Sequence, residues 1–287
     1  MPKSMLLDTL RGLFMPKKTI KLFWWRYDES SSGNFGDEIS KLLIEKLFCV
    51  NVEWASPDTC DLIGAGSILT EVYENKKDNK PFVWGSGIIE NGQSTIADSE
   101  FKFCSVRGLS TLGRITGSKN NIAVGDPGLL ASYLLPPIKS ADSRKFRLGI
   151  LPHYVDADIA IVQQLAKHEG VLVIDATQPC LEVIRSISQC QAILSSSLHG
   201  LIVSDSLGVP NIHLKLSDNL KGGQYKFSDY YSVFREERYH SPLTANDITD
   251  LSVEQIHDLI IDGYVIPQNI TTIKQRIIDS FPIAELR

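Results

Sequence analysis

Several things are scarce in this sequence, and each shortage narrows what the protein can do. Its five cysteines (Cys49, Cys60, Cys104, Cys180 and Cys190) are scattered, odd in number and without a CxxC pair. That pattern fits free thiols in a reducing compartment and excludes a disulfide framework or a thiolate zinc site. HExxH is missing, as is any other His, Asp or Glu grouping with metal-ligand spacing, so no metal is expected. There is neither a P-loop run nor a complete GxGxxG, which leaves no support for ATP or NAD chemistry. Positive charge is not in excess: a net charge of −5 over 287 residues gives no case for a nucleic-acid partner. A small anionic substrate stays open, because a local cluster of cations outweighs a modest global charge.

Long apolar runs are also absent; none approaches the ~20 residues of a membrane span. The start, MPKSMLLDTLRGLFMPKK, has no continuous apolar region and no Ala-x-Ala site. A secretory signal is therefore not expected, and the protein should be cytoplasmic. The same stretch places Leu6, Leu10, Leu13 and Phe14 on one helical face, flanked by Lys3, Arg11, Lys17 and Lys18. It reads either as a terminal helix packed on the body or as a peripheral contact with the inner membrane face through residues 1–18.

What the chain does have is the composition of a soluble globular protein, 43% apolar and 22% charged, with length for two domains. Apolar β-rich runs alternate with helical periodicity, the pattern of parallel α/β layers. Strands are expected at 20–25, 51–54, 61–64, 81–84, 101–106 and 122–124. The clearest helix is GDEISKLLIEKLF at 36–48, where Ile39, Leu42, Leu43 and Leu47 share one face. PPIKSADSRKF at 136–146 breaks the rhythm and reads as a linker. The alternation then restarts, with a helix over 157–167 and another near 181–190. The expected organisation is an N-terminal extension (1–18), a first α/β domain (19–138) and a second (145–287) with terminal helices. A cleft would lie between the carboxyl ends of their strands.

Small residues follow several strands: NFGDE (34–38), GAGS (64–67) and GSG (85–87). Glycine there permits positive φ and lets a ligand approach the backbone. Asn34 and Asp37 fit helix capping and hydroxyl binding equally well. Asp126, followed by Pro127, reads as a helix N-cap. Arg107 follows the strand FKFCSV, where a guanidinium can grip a carboxylate or phosphate or simply make a surface ion pair. In LPHYVD, His153 stands just past a strand end. In SSSLHGLIVSDSLGVPN, Ser196 or Ser197 can cap a helix whose first turn carries His199. An imidazole at that positive helix end suits anion binding and proton transfer. The stretch GGQYKFSDYY (222–231) begins as a loop and carries Lys226.

In this order, NFGDE, GAGS, WGSG, SVRG, GDPGLL, LPHYVD, SSSLHGLIVSDSLGVPN and KFSDYY resemble the polysaccharide pyruvyl transferase family, in its short exopolysaccharide-type branch. The resemblance covers roughly residues 20–232. It implies two Rossmann-like domains with parallel sheets facing a cleft, arranged as in GT-B glycosyltransferases. It also implies pyruvyl transfer from phosphoenolpyruvate, the donor substrate, onto two hydroxyls of a sugar, leaving a cyclic ketal and phosphate with no cofactor. The acceptor would belong to a cell-surface polysaccharide or its lipid-linked precursor. On this resemblance His199 is the general acid, with Asp37 as base. Arg107, His153, Ser196, Ser197 and Lys226 lie on the donor side. Asn34, Gly36, Gly66, Ser67 and Gly87 lie on the acceptor side. Many relatives have Arg-Leu-His where this chain has Ser197-Leu198-His199, so His153 and Lys226 are expected to supply the missing charge. The competing readings are a GT-B glycosyltransferase using a nucleotide sugar and a non-catalytic sugar- or anion-binding protein.

Overall fold

The computed structural model describes residues 18–26, 35–90, 92, 95–137, 143–234 and 241–286. The N-terminal extension, Asn34 and the middle of the linker lie outside these residues.

The first half has eight strands: β1 (Thr19–Phe23), β2 (Asn51–Trp54), β3 (Leu62–Ile63), β4 (Phe82–Ser86), β5 (Ile96–Ala97), β6 (Lys102–Val106), β7 (Ile115–Thr116) and β8 (Ala123–Val124). β5 and β7 pair with each other, while the remaining six form one parallel sheet in the order β2-β1-β3-β4-β6-β8. Helices α1 (Phe35–Phe48), α2 (Leu69–Asn75) and α3 (Leu109–Gly113) follow β1, β3 and β6. Of the face expected in 36–48, Ile39 and Leu43 of α1 are fully buried while Leu42 and Leu47 are half-buried against the core, and Ile44, outside that set, is fully buried too.

A second parallel sheet, in the order β10-β9-β11-β12-β13, holds β9 (Phe146–Leu151), β10 (Val171–Val173), β11 (Cys190–Ser195), β12 (Asn211–Lys215) and β13 (Leu243–Thr244). Its helices are α4 (Ala160–Leu165), α5 (Cys180–Ser188), α6 (Leu198–Leu207) and α7 (Tyr225–Tyr231), followed by α8 (Ala245–Ile248), α9 (Val253–Gly263), α10 (Ile270–Asp279) and α11 (Ile283–Leu286). The helix expected over 157–167 is shorter: α4 begins only at Ala160, because Ile159 is extended, and a separate 3-10 turn (Tyr154–Asp156) lies ahead of it. The molecule is thus α/β with parallel, Rossmann-like sheets. No helix among the described residues is long and apolar enough to cross a membrane.

Both sheets reverse strand order beside their first strand, between β1 and β3 and between β9 and β11. In open α/β sheets the crevice at such reversals is where ligands bind. One apolar cluster joins Leu43 of α1, Leu129 and Leu130 of the 3-10 helix Pro127–Leu134, and Ile184 of α5 and Val203 of α6. The last long helix returns to the first sheet. The Trp84 indole of β4 donates to the Ile277 carbonyl of α10 at 2.9 Å, and Ile273 and Ile277 pack against Gly125.

Candidate active site

The loops after β1, β3, β9 and β11 meet around a cavity of about 250 Å³. Asp37, Ser67, His153, Ser197, His199 and Lys226 line it, together with Trp25, Glu71, Tyr154 and Lys221. A larger cavity of about 390 Å³ lies beside β12 and β13, but none of the residues selected from sequence lines it. The smaller one collects the ionisable groups and sits at the strand reversals, so chemistry belongs there.

His199 occupies the first turn of α6, 8% exposed, with its ring edge-on to Phe35 at 6.3 Å. Burial first, then the nearby Arg107 and Lys226 charges, bring its imidazole down to about 3. It is therefore neutral at neutral pH. Its Nε2 is enclosed and has no hydrogen-bond partner; Asp126 Oδ2, enclosed and equally unpartnered, lies 3.8 Å away. The Nδ1 edge lies against Gly36, where any Cβ would overlap the ring.

Asp37, in the first turn of α1, presents a buried carboxyl to the same cavity. Loss of solvation pushes it up to about 7; Lys226 opposes that rise, while Asp126, Glu71 and Glu38 add to it. A carboxyl so poised exchanges protons near neutrality. The turn Gly64–Ser67 is tied to α1 by the Ala65 N–H, which donates to Ser40 Oγ at 2.7 Å. At Gly66, φ is +116° and a Cβ would strike the Asp37 carboxylate. Gly36, Gly66 and Gly87 were expected to let a ligand approach the backbone. They do not line the cavity; the space their missing Cβ atoms leave is filled by His199, Asp37 and Arg107 of the protein itself. Ser67 does reach the cavity, but its hydroxyl accepts a hydrogen bond from Arg107 Nη1.

Arg107 departs most from expectation. It is 1% exposed and absent from the cavity wall. Nε donates to Asp229 Oδ2 at 2.9 Å, Nη2 to the Ile88 carbonyl at 2.7 Å, and Nη1 to Ser67. Asp229 Oδ1 also accepts from the Thr111 N–H at 2.8 Å, and Oδ2 from the Thr111 hydroxyl at 2.7 Å. The SVRG and KFSDYY runs are thus the two halves of a buried lock between β6 and α7. Its geometry holds α7 in place, and the guanidinium charge reaches the site only as a field.

The donor-side residues divide. Ser196 is fully buried and off the cavity wall: its hydroxyl accepts from His153 N–H at 2.8 Å and donates to Asp156 Oδ2 at 3.0 Å. It ties two loops together rather than facing a ligand. His153 lines the cavity, but burial and then Lys226 bring it down to about 4, with Asp156 opposing the shift, so it is not a cation at neutral pH. Lys226 has no ion-pair partner among the described residues and its ammonium lies 5.6 Å from the Phe227 ring centre. Burial and then Arg107 lower it to about 8, while Asp37 and Asp156 oppose the shift, leaving it largely protonated at pH 7. Ser197 stands at the N-cap of α6 yet its side chain makes no capping bond, and the residue lines the cavity. Asp126 caps as expected, accepting from Gly128 N–H at 2.8 Å.

Sequence reasoning passed over Trp25, Glu71, Tyr154 and Lys221. Trp25 and Tyr154 were findable, since Trp25 closes the expected strand 20–25 and Tyr154 stands just past a strand end beside His153. Lys221 precedes the Gly222-Gly223 pair and faces Glu71, whose carboxyl is pushed up by burial and lowered by that lysine.

Comparison with known proteins gives the family. The family model for polysaccharide pyruvyl transferases matches residues 6–218. The "Uncharacterized protein L143" of Acanthamoeba polyphaga mimivirus is 31% identical over 221 residues, covering 71% of this chain and 72% of that protein. The "Succinoglycan biosynthesis protein ExoV" of Rhizobium meliloti (strain 1021) is 27% identical over 215 residues, 74% of this chain and 64% of that protein. This chain therefore spans just under two thirds of the ExoV protein. On the extent of these matches and the motifs that line its cleft, the chain belongs to the polysaccharide pyruvyl transferase family.

Proposed function

We propose that the protein transfers the pyruvyl group of phosphoenolpyruvate onto two hydroxyls of one sugar unit of a cell-surface polysaccharide, or of its lipid-linked precursor at the cytoplasmic membrane face. The products are a cyclic ketal and inorganic phosphate. The observation that carries this reading is the pairing, in one cavity, of an ammonium without an ion-pair partner among the described residues, Lys226, with two proton-exchanging groups of opposite kind, His199 and Asp37. A GT-B-like placement of two Rossmann-like units about the cleft belongs to the same reading.

The chemistry assigns each group a task. Lys226 attracts the donor's phosphate and carboxylate, and their negative charge restores basicity to His199. Protonated His199 delivers a proton to the methylene carbon, making an oxocarbenium-like centre at the adjacent carbon. One sugar hydroxyl attacks that centre and gives its proton to Asp37. The second hydroxyl then displaces phosphate and loses its proton to the leaving group. Two hydroxyl protons leave the sugar, one ending in the new methyl and one on phosphate, so the transfer balances without a cofactor.

The test is acceptor-dependent phosphate release from phosphoenolpyruvate, together with the mass gain of one ketal-linked pyruvyl group on the glycan. Turnover only with a nucleotide sugar would establish the glycosyltransferase reading instead, and binding without turnover the non-catalytic one. His199→Ala should lower kcat by about 10²–10⁴ while leaving the fold intact. Wild-type-like turnover in that variant removes His199 from the reaction.

A further inference from the structure

Asp126 has two carboxylate oxygens in different surroundings. Oδ1 accepts from the Gly128 N–H at 2.8 Å and so caps the 3-10 helix that begins at Pro127. Oδ2 is completely enclosed, has no partner, and lies 3.8 Å from the enclosed, unpartnered Nε2 of His199. Capping accounts for the first oxygen only. Serine, threonine or asparagine would cap equally well without enclosing a second carboxylate oxygen. A buried polar atom left unpaired is costly, so two such atoms facing one another call for an explanation.

We propose that Asp126 is a positioning residue for His199: its Oδ2 accepts a hydrogen bond from the Nε2–H of the imidazole and so leaves Nδ1, on the Gly36 side of the ring, as the proton-transferring atom. The inference rests on the reading of His199 as general acid given above. A movement of about 1 Å brings the two atoms into hydrogen-bond range. The pairing sets the tautomer of the neutral ring and strengthens when His199 becomes an imidazolium, because the pair then carries opposite charges.

Every charged group near the pair agrees with this timing. After burial, Arg107, from the end of β6, and Lys226, from α7, both disfavour the imidazolium. Asp126 itself is pushed up to about 6 by burial, against the pull of the Gly128 N–H and Arg107, with Asp229 adding to the rise. Asp37, from α1, faces the cavity and feels the Asp126 charge. An anionic donor beside Lys226 offsets the cations and leaves Asp126 as the fixed counter-charge behind the ring. The adjoining 3-10 helix, packed between α1 and α6, holds that carboxylate rigidly.

The discriminating variant is Asp126→Asn. Asparagine keeps an acceptor for the Gly128 N–H, so the helix cap survives. Its amide N–H, however, donates to Nε2 and forces the imidazole proton onto Nδ1. With phosphoenolpyruvate and acceptor present, kcat should fall by about 100-fold or more while the donor KM stays within about threefold, as expected when a carboxylate that sets a histidine's tautomer is neutralised. In ¹⁵N-labelled protein the His199 ring resonances should change from the Nε2-protonated to the Nδ1-protonated pattern. The resonance measurement needs no turnover, so it decides the pairing even if the acceptor or the reaction is wrongly identified. A kcat within about threefold of wild type, or unchanged His199 resonances, overturns the proposal. A wild-type His199 carrying its neutral-state proton on Nδ1 overturns it without any variant.

Discussion

Arg107 carries a full positive charge into surroundings that leave it 1% exposed, and it survives there because Asp229 answers it at 2.9 Å. Such a pair is weak evidence of stability as a unit, but removing one partner strands the other. Arg107→Ala should therefore cost about 3–5 kcal/mol in urea unfolding at pH 7. Replacing both residues by apolar ones of similar volume should recover much of that loss. If Arg107→Ala unfolds like wild type while the donor KM rises steeply, the guanidinium is a ligand-binding group after all. The role of this arginine was not legible in the sequence, because its partner lies 122 residues away and no local pattern joins them. His199 was legible, since a strand end followed by a helix start fixes where its side chain emerges. Asp126 was half legible: the Asp-Pro signature gives the cap, but nothing in it shows where the second oxygen points.

At the scale of elements, the glycines follow a common logic. The turns after β3 and β4 and the start of α1 are held close enough that side chains from elsewhere fill the positions of their missing Cβ atoms. Gly36→Ala is the sharpest test, because its methyl would occupy the place of the His199 ring. Overpacking of this kind costs about 1–3 kcal/mol when a core must shift to relieve it. A displacement of about 1 Å at a proton-transferring group costs near 100-fold in rate. The expected result is a folded protein with a modestly lower Tm and a far larger loss of kcat. A variant that keeps wild-type kcat would show that the ring has room to move. The element pattern itself was largely readable: α1 and all six strands expected in the first half are present within two residues of their expected limits. β12 was not anticipated, because buried Asn211 and His213 interrupt the apolar pattern that marks an inner strand. The return of α10 to the first sheet was also invisible, since helix periodicity tells which face is buried but not against what.

For the molecule as a whole, a chain of net charge −5 holds its cleft under the influence of Arg107 and Lys226. That field, with burial, depresses His199 to about 3 and His153 to about 4, while burial lifts Asp37 to about 7. At pH 7 the site thus holds two neutral imidazoles and a carboxyl close to its midpoint. A donor bearing carboxylate and phosphate adds negative charge beside the two imidazoles, and added negative charge favours their protonated forms. Each affinity for protons rises on binding, so protons must be taken up with the donor. By linkage, donor affinity must then weaken as pH increases from 6 to 8. Calorimetric titration of phosphoenolpyruvate in buffers of different ionisation heat reads this directly: the observed enthalpy should vary with the buffer with the sign of proton uptake. His199→Ala should reduce the uptake. An enthalpy independent of buffer, or an affinity that strengthens as pH rises, would mean that the donor's charge is not received beside the two imidazoles.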